Sequence, residues 1–546
     1  MITIFPDPVK ITENDGVFAV PAELARYLEK PLEDFNSYSD DLAKFSVFLS
    51  RASDDNLIDS IGTEGYILTV TPNRITIKSN TATGSFYGIQ TIRWLLPKGD
   101  SLAKKAKTAR LTLHCCEIVD YPRYPYRGYL LDEGRYFLGT AVVKSVLDWM
   151  ALLKLNQFHW HLTEDQGWRV EIKKYPRLTE IGSKRDSTPV YRNGPSGAKN
   201  RDGIPHGGYY TQAQIREIVE YAAKRHITVV PEIEMPGHAT AALASYPEMR
   251  CALPNDLPLE GANVFGHHLD GRDIKVASDW GVFANIFCVS NPKTIEFLHD
   301  ILKEVVGLFP GPIIHIGGDE VPKAQWMCCE HCQEKMAKLG LKSEEELQKS
   351  FTAEIIDYLA SLGKKTMLWN EHTDETLAKR KENVICQYWT GSLERVNGFL
   401  ENGGRLLMSI SSFLYVDYAY HSLPLKMVYH YDPLGSETVK AISKKAAEKA
   451  SAGGIIGVEA TMWGEVFQSK VQVEYCTFPR MFAVADICWT PQDNKNYSRF
   501  MERVEGALKI WDVLGISHAT LEEADPSEKA IELAKKNPKF GWHAYF

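Results

Sequence analysis

The chain has 546 residues, 44% of them hydrophobic and 24% charged, and its 62 basic and 70 acidic side chains leave a net charge of −8. That length exceeds one ordinary domain, and the composition is that of a globular protein with a sizeable core. An acidic balance with no long basic run argues against nucleic acid and anionic membrane as partners.

The opening "MITIFPDPVKITENDG" lacks the basic and then apolar segments of a signal peptide. No apolar stretch of about 18 residues suggests a membrane span. Ten cysteines in so long a chain do not suggest a disulfide scaffold. The expectation is a cytoplasmic protein with reduced thiols.

Residues 1–118 read as a small α+β domain. "EGYILTVTPNRITIKSN" alternates on either side of Pro72-Asn73, as a strand, turn and strand, and "GSFYGIQTIRWLLP" has the apolar spacing of a helix ending at Pro97. From 119 to 490 the rhythm changes. The apolar runs are "YRGYLLDEG", "QFHWHLTED", "TVVPEIEMPGH", "IIHIGGDE", "TMLWNE", "VICQYW", "RLLMSI" and "IIGVEATMWGE". Helical candidates such as "AVVKSVLDWMALLKL" and "TQAQIREIVEYAAKRH" lie between them. Eight runs alternating with helices predict parallel strands with crossovers, and the count suits a closed (β/α)8 TIM barrel, with an open sheet as the alternative. Residues 491–546 form a short helical tail packed on the barrel, with helices predicted in "SRFMERVEGALKIWDVLG" and "PSEKAIELAKKNP".

Barrel chemistry gathers at the C-terminal strand ends. There the runs place Asp132, Glu133 and Arg135; His161, Glu164 and Asp165; Glu234 and His238; Asp319 and Glu320; Trp369 and Glu371; Trp389; and Trp463 and Glu465, with Tyr415 and Asp417 just past the seventh. One such residue alone is more often packing than catalysis. Acids converging with three tryptophans make an aromatic cup floored by carboxylates, an arrangement suited to sugars. Neighbouring strand residues point to opposite faces. Asp319 and Glu320, after Gly317 and Gly318, therefore suit unequal roles better than the symmetric pair of an ordinary retaining glycosidase.

"HIGGDEV", "FHWHLTEDQGWR", "GGYYTQAQIREIVEYA" and "PEIEMPGH", continued by "GKKTMLWNE", "YVD", "TMWGE" and "FPRMFAVADICW", resemble glycoside hydrolase family 20 over about 119–490. The domain before them is similar to the one this family carries. The resemblance implies an exo-acting β-N-acetylhexosaminidase that removes terminal β-linked N-acetylglucosamine or N-acetylgalactosamine from an oligosaccharide or glycoconjugate, with no cofactor. The substrate's own acetamido oxygen would attack, forming an oxazolinium intermediate. Glu320 would then be the acid and base, Asp319 would orient the acetamido N–H, and Tyr415 would donate to its oxygen. Arg135, at the end of its strand where Arg127 begins it, would grip the 3- and 4-hydroxyls. Asp417 and Glu465 would bind the 4- and 6-hydroxyls, and Trp369, Trp389 and Trp463 would wall the sugar. His238 with Glu164 or Asp165 would orient Glu320. Glu164 and Glu234 depart from the family's frequent Asp, and "DEGRYF" departs from its usual arginine motif; both changes bear on the geometry behind the acid.

Cys328, Cys329, His331 and Cys332 in "MCCEHCQEK" lack a paired C-x2-C framework with a distant second half, so no metal site is expected there. Cys251 and Cys288 would pair only in an exported protein. Three alternatives to the hexosaminidase remain: a disaccharide-releasing, lacto-N-biosidase-like enzyme with a pocket enlarged by the loops at 186–208 and 251–287, a two-carboxylate β-glycosidase, and a carbohydrate-binding protein without turnover. The sequence carries no signal for an oligomeric state.

Overall fold

The structure, a computed structural model, describes residues 3–21, 23–24, 42–51, 60–96, 111–189, 201–252, 263–264, 267–268, 273–465 and 467–536. Parts of the loops at 186–208 and 251–287 therefore lie outside the described residues.

In the N-terminal domain β1 (Lys10–Ala19), β2 (Val47–Arg51), β3 (Tyr66–Val70), β4 (Ile75–Ser79) and β5 (Thr112–Asp120) form one sheet, ordered β1-β5-β3-β4-β2. The predicted hairpin at Pro72-Asn73 is the antiparallel β3–β4 pair. Its alternation buries Tyr66, Leu68, Val70, Ile75 and Ile77 on one face. The predicted helix is α1 (Ala82–Leu95), which packs on that hairpin, and Thr81 caps it by accepting from the Gly84 N–H.

All eight predicted runs are strands of one closed parallel barrel. They are β6 (Tyr126–Asp132), β7 (Gln157–His161), β8 (Thr228–Glu232), β9 (Ile313–His315), β10 (Lys365–Trp369), β11 (Val384–Tyr388), β12 (Arg405–Met408) and β13 (Ile455–Met462). Each pairs with the next, and β13 returns to β6. Outside lie α2 (Thr140–Leu152), α3 (Gln212–Ala223), α4 (Pro292–Leu308), α5 (Glu344–Ser361) and α6 (Arg480–Trp489). Their starts are written locally. Thr211 and Gln214 make a capping box, Asn291 caps ahead of Pro292, and Ser343 caps ahead of three glutamates that favour the positive helix end.

The barrel interior is layered. Tyr126, Val230, Ile313, Met367, Ile385 and Leu407 form an apolar plug separate from the main core. Two residues farther along most of these strands the same inward face turns polar. His159 bridges Glu459 (2.7 Å) and Glu232 (3.0 Å), His315 reaches Glu232 at 2.7 Å, and Gln387 donates to Glu459 at 2.7 Å. Gly128 makes room for this layer, since a Cβ there would stand 2.4 Å from Glu459 Oε2. The site sits above it.

At the opposite end, buried ion pairs weld the barrel to the first domain: Arg127 to Glu64 and Lys154 to Asp120, each at 2.7 Å. The tail supplies α7 (Tyr497–Leu514), ended by Gly515 at φ +67°, and α8 (Glu528–Lys536). Trp511 of α7 stacks on Trp94 of α1 at 5.4 Å and meets Phe482 of α6 edge-on at 5.0 Å, so the tail grips both domains. No helix among the described residues is long and apolar enough to cross a membrane.

Candidate active site

β9 is short because its sequence breaks it. Gly317 (φ +66°), Gly318 (φ +94°) and Glu320 (φ +48°) are all left-handed, which costs a residue bearing a Cβ on the order of 1 kcal/mol. At Gly317 space also demands glycine, because a Cβ would lie 1.8 Å from Glu234 Oε2. The Gln348 amide holds the turn by donating to the Gly318 carbonyl at 2.8 Å. The bend turns both acids to one side. Asp319 Oδ2 and Glu320 Oε2 lie 3.8 and 3.6 Å from the same atom, His238 Nε2. Their exposures differ: 14% for the Asp319 side chain and 40% for Glu320. Asp319 Oδ1 is buried and accepts no hydrogen bond among the described residues.

His238 comes from the loop after β8, itself in left-handed conformation (φ +45°). Its Nδ1 faces Glu164 at 2.9 Å and Asp165 at 3.2 Å, and Asp165 is fixed by the N–H and hydroxyl of Thr240. Burial opposes a charge on His238, but Glu164, Asp165 and Glu320 outweigh it and raise its pKa far above the ordinary value. Glu164 does more than the sequence suggested, since the same Oε1 also binds Arg135 at 2.5 Å. The longer arm at this position thus links the histidine to the arginine.

Arg135 is held a second time by Asp132 at 3.0 Å, and its Nε stands 3.8 Å from Glu465. Its guanidinium lies 5.2 Å from the Trp463 ring centre. Arg127 is at the far end of the barrel, bound to Glu64, as the choice of Arg135 requires.

The aromatic wall is continuous. Trp369 meets Trp463 at 5.7 Å and Trp389 at 6.5 Å; Tyr415 stacks beside Trp389 at 6.1 Å and tilts toward Trp463 at 5.8 Å. Buried donors pin two of the rings: Trp369 Nε1 donates to Glu232 and Trp389 Nε1 to Glu371, at 2.8 and 2.9 Å. Burial, then Tyr418, Asp417, Asp319 and Glu371, hold the Tyr415 phenol protonated well beyond its usual range, so it is a hydrogen-bond donor.

The carboxyls are crowded. Burial and the neighbouring Glu234, Glu371 and Glu320 push Asp319 well up, with His238 pulling the other way. Burial lifts Glu371 to about 7 and Glu234 to about 8. Asp417, fully buried, is raised by burial and by Glu465. Asp132 goes the other way: burial would raise it, but Arg135, His161 and the Gly464 N–H hold it below the usual carboxylate range.

The catalytic and sugar-binding residues expected from the sequence lie around this cup, whereas Glu133, at the end of the first run, faces away from it toward Trp160 and Tyr210. The sequence places Asp132, His161 and Glu234 at strand ends without connecting them; the structure joins them in a second line of support, with His161 bonded to Asp132 at 2.8 Å and to Glu234 at 3.1 Å. His161 also meets Trp463 edge-on at 5.5 Å. The signal was there in "FHWH", whose two histidines share a strand face. The sequence places Glu371 at the end of the fifth run but gives it no role; its contact with Trp389 supplies one. The close histidine–carboxylate sets of the barrel are spaced as hydrogen-bonded pairs within its layers. The four residues of "CCEHC" do not converge: Cys328 is exposed and His331 lies on the surface near Glu334, while Cys329 and Cys332 turn inward.

Residues 124–492 match the model of the catalytic domain of glycosyl hydrolase family 20, and residues 1–121 that of the family's domain 2. A beta-hexosaminidase of Porphyromonas gingivalis is 35% identical over 542 residues, covering 95% of this chain and 64% of the relative. This chain thus spans under two thirds of that protein. A beta-hexosaminidase of Akkermansia muciniphila is 31% identical, with 89% of this chain and 91% of the relative covered. Among solved structures, an exo-β-N-acetylglucosaminidase of Vibrio harveyi in complex with N-acetylglucosamine superposes with a TM-score of 0.74 at 26% identity, covering 95% of this chain and 78% of that one. A mutant Streptomyces plicatus beta-hexosaminidase in complex with product N-acetylglucosamine gives 0.73 at 28% identity, over 96% and 97%.

Proposed function

Since the chain belongs to glycosyl hydrolase family 20, we propose that it is an exo-β-N-acetylhexosaminidase releasing terminal N-acetylglucosamine or N-acetylgalactosamine with retention, by substrate assistance. One observation carries the mechanistic part: Asp319 and Glu320 both abut one nitrogen of His238. Two carboxylates gathered at one imidazole atom, one largely buried and the other open to the cup, suit unequal roles better than a symmetric nucleophile and acid. This supports a nucleophile supplied by the substrate.

Glu320, the more exposed of the two, protonates the departing oxygen and then takes a proton from the incoming water. Asp319 Oδ1, buried with no donor among the described residues, accepts the acetamido N–H and opposes the positive charge that develops on the oxazolinium ring. Tyr415 donates to the acetamido oxygen and fixes it for attack. Trp369, Trp389 and Trp463 wall the sugar, while Arg135, Asp417 and Glu465 take its outer hydroxyls. The cluster His238–Glu164–Asp165 keeps a positive charge beside Glu320 through the cycle.

The test compares an aryl β-N-acetylglucosaminide with the matching aryl β-glucoside at equal concentration. Cleavage of the first alone is expected. Equal cleavage of both would require a nucleophile from the protein and overturn the mechanism.

A further inference from the structure

Four cysteines from two separate loops converge near the site. Cys251, Cys288, Cys329 and Cys332 are all buried, and their four Sγ atoms lie within 4.8 Å of one another. Three of the separations, Cys251–Cys332, Cys288–Cys329 and Cys288–Cys332, are each 3.9 Å. A disulfide needs about 2.05 Å, so no pair is drawn into a bond. A tetrahedron of thiolates with metal–sulfur bonds of about 2.3 Å has edges of about 3.8 Å. The quartet has that size.

The local backbone builds it as such sites are built. Cys329 stands just before the helix Glu330–Leu339, and Cys332 follows one turn later, a C-x2-C pair at a helix start. Cys251 and Cys288 come from two points of the loop region after β8, and the Cys288 N–H donating to the Met249 carbonyl at 2.9 Å holds them side by side. Trp326 Nε1 donates to the Phe287 carbonyl and Lys335 Nζ to the Val289 carbonyl, both at 2.9 Å, which docks the two halves. The spacing of "CCEHC" alone does not suggest a metal, because the second half is supplied by a different loop.

We infer that Cys251, Cys288, Cys329 and Cys332 bind a structural zinc ion. All four protein ligands are present, and a closed four-sulfur set leaves no position for substrate, which marks the ion as structural. Its place gives it a purpose. The loop after β8 carries His238 before it reaches Cys251, and the loop after β9 carries Asp319 and Glu320 before it reaches Cys329. One ion thus ties together the two loops whose alignment sets the distance between His238 and the acid pair. The inference stands on the cysteines alone, whatever the sugar specificity.

Metal analysis of the full chain, purified without chelator or added metal, tests it. One zinc per chain is expected, retained through dialysis. A thiol-specific mercurial should release it into a chromophoric chelator as the four buried thiols react. Cys332→Ser should lose the zinc, whereas Cys328→Ser, at the exposed neighbour, should keep it. Where Cys332→Ser does not fold, mercurial release from the unaltered protein remains decisive. Four freely reactive thiols without metal, a disulfide among them, or zinc that survives in folded Cys332→Ser would overturn the site. Iron with thiolate absorption in its place would overturn the zinc assignment.

Discussion

The chain ends two barrel strands with the same dipeptide, Asp132-Glu133 after β6 and Asp319-Glu320 after β9, and makes opposite use of them. At the first, the strand stays regular to Asp132 and Glu133 follows in the turn, so the two acids point to opposite sides. Asp132 turns inward to Arg135, His161 and the Gly464 N–H. Glu133 turns outward, where it accepts from Trp160 Nε1 and the Tyr210 hydroxyl at 2.7 Å and from the N–H groups of Leu138 and Gly139. Both are fully buried and satisfied. At the second, two left-handed glycines and a left-handed Glu320 break the alternation and bring both acids to one histidine. There they remain partly exposed, and Asp319 keeps a buried oxygen with no donor among the described residues. An acid pair becomes chemical when the protein declines to satisfy it.

Four measurements sharpen or break that contrast. The largest effect belongs to Glu320→Gln. It should lower kcat on the order of 10²–10⁴-fold for poor leaving groups, and less for an activated aryl group that departs without full protonation. Equal losses on both substrates would remove Glu320 as the acid. Asp319→Asn comes next, with kcat down on the order of 10²–10³-fold and KM little changed, because its partner charge exists only in the transition state. A change confined to KM would make it a binding residue.

Glu133→Gln should reverse the pattern. It leaves donors without an acceptor and costs about 1–3 kcal/mol of stability in denaturant melts, with kcat kept. Lost turnover at unchanged stability would erase the distinction between the pairs. The smallest effect concerns pH. Burial lifts Glu371 to about 7 in the folded protein against an ordinary 4.5. The folded state therefore binds this proton more tightly. The resulting stability is full below about pH 4.5 and is lost as pH rises through 7. Thermal midpoints of Glu371→Gln should fall less between pH 5 and 8 than those of the unaltered protein, and an identical fall would show that Glu371 does not titrate there.

Much of this was legible from residues alone. The eight strands are short apolar runs closed by turn-forming residues, and the hairpin at Pro72-Asn73, α1 and α3 declare themselves by period and cap. The candidate site was legible because barrel geometry sends strand ends to one mouth, so a polar residue just past a run is already located. The inner polar layer was not. Glu232, His159, His315 and Glu459 sit within strands, where only the register between strands shows that they meet. Glu133, placed by the sequence at a strand end as Glu320 is, is told apart from it only by its partners. The cysteines are the sharpest case, since neither half of the quartet suggests the other across so long a stretch of chain.

What the sequence by itself determined, then, is local and periodic: where strands and helices begin, which face of each is apolar, and where glycine permits a left-handed bend. What only the tertiary structure decided is which polar groups are satisfied by others. Burial makes an unpaired carboxyl costly to ionise and a paired one cheap, and pairing is set by neighbours remote in the chain. Asp132 is held below its usual range by Arg135 together with the remote His161 and Gly464 N–H, and Asp319 is held above it by burial and by the remote Glu234 and Glu371 as well as its neighbour Glu320.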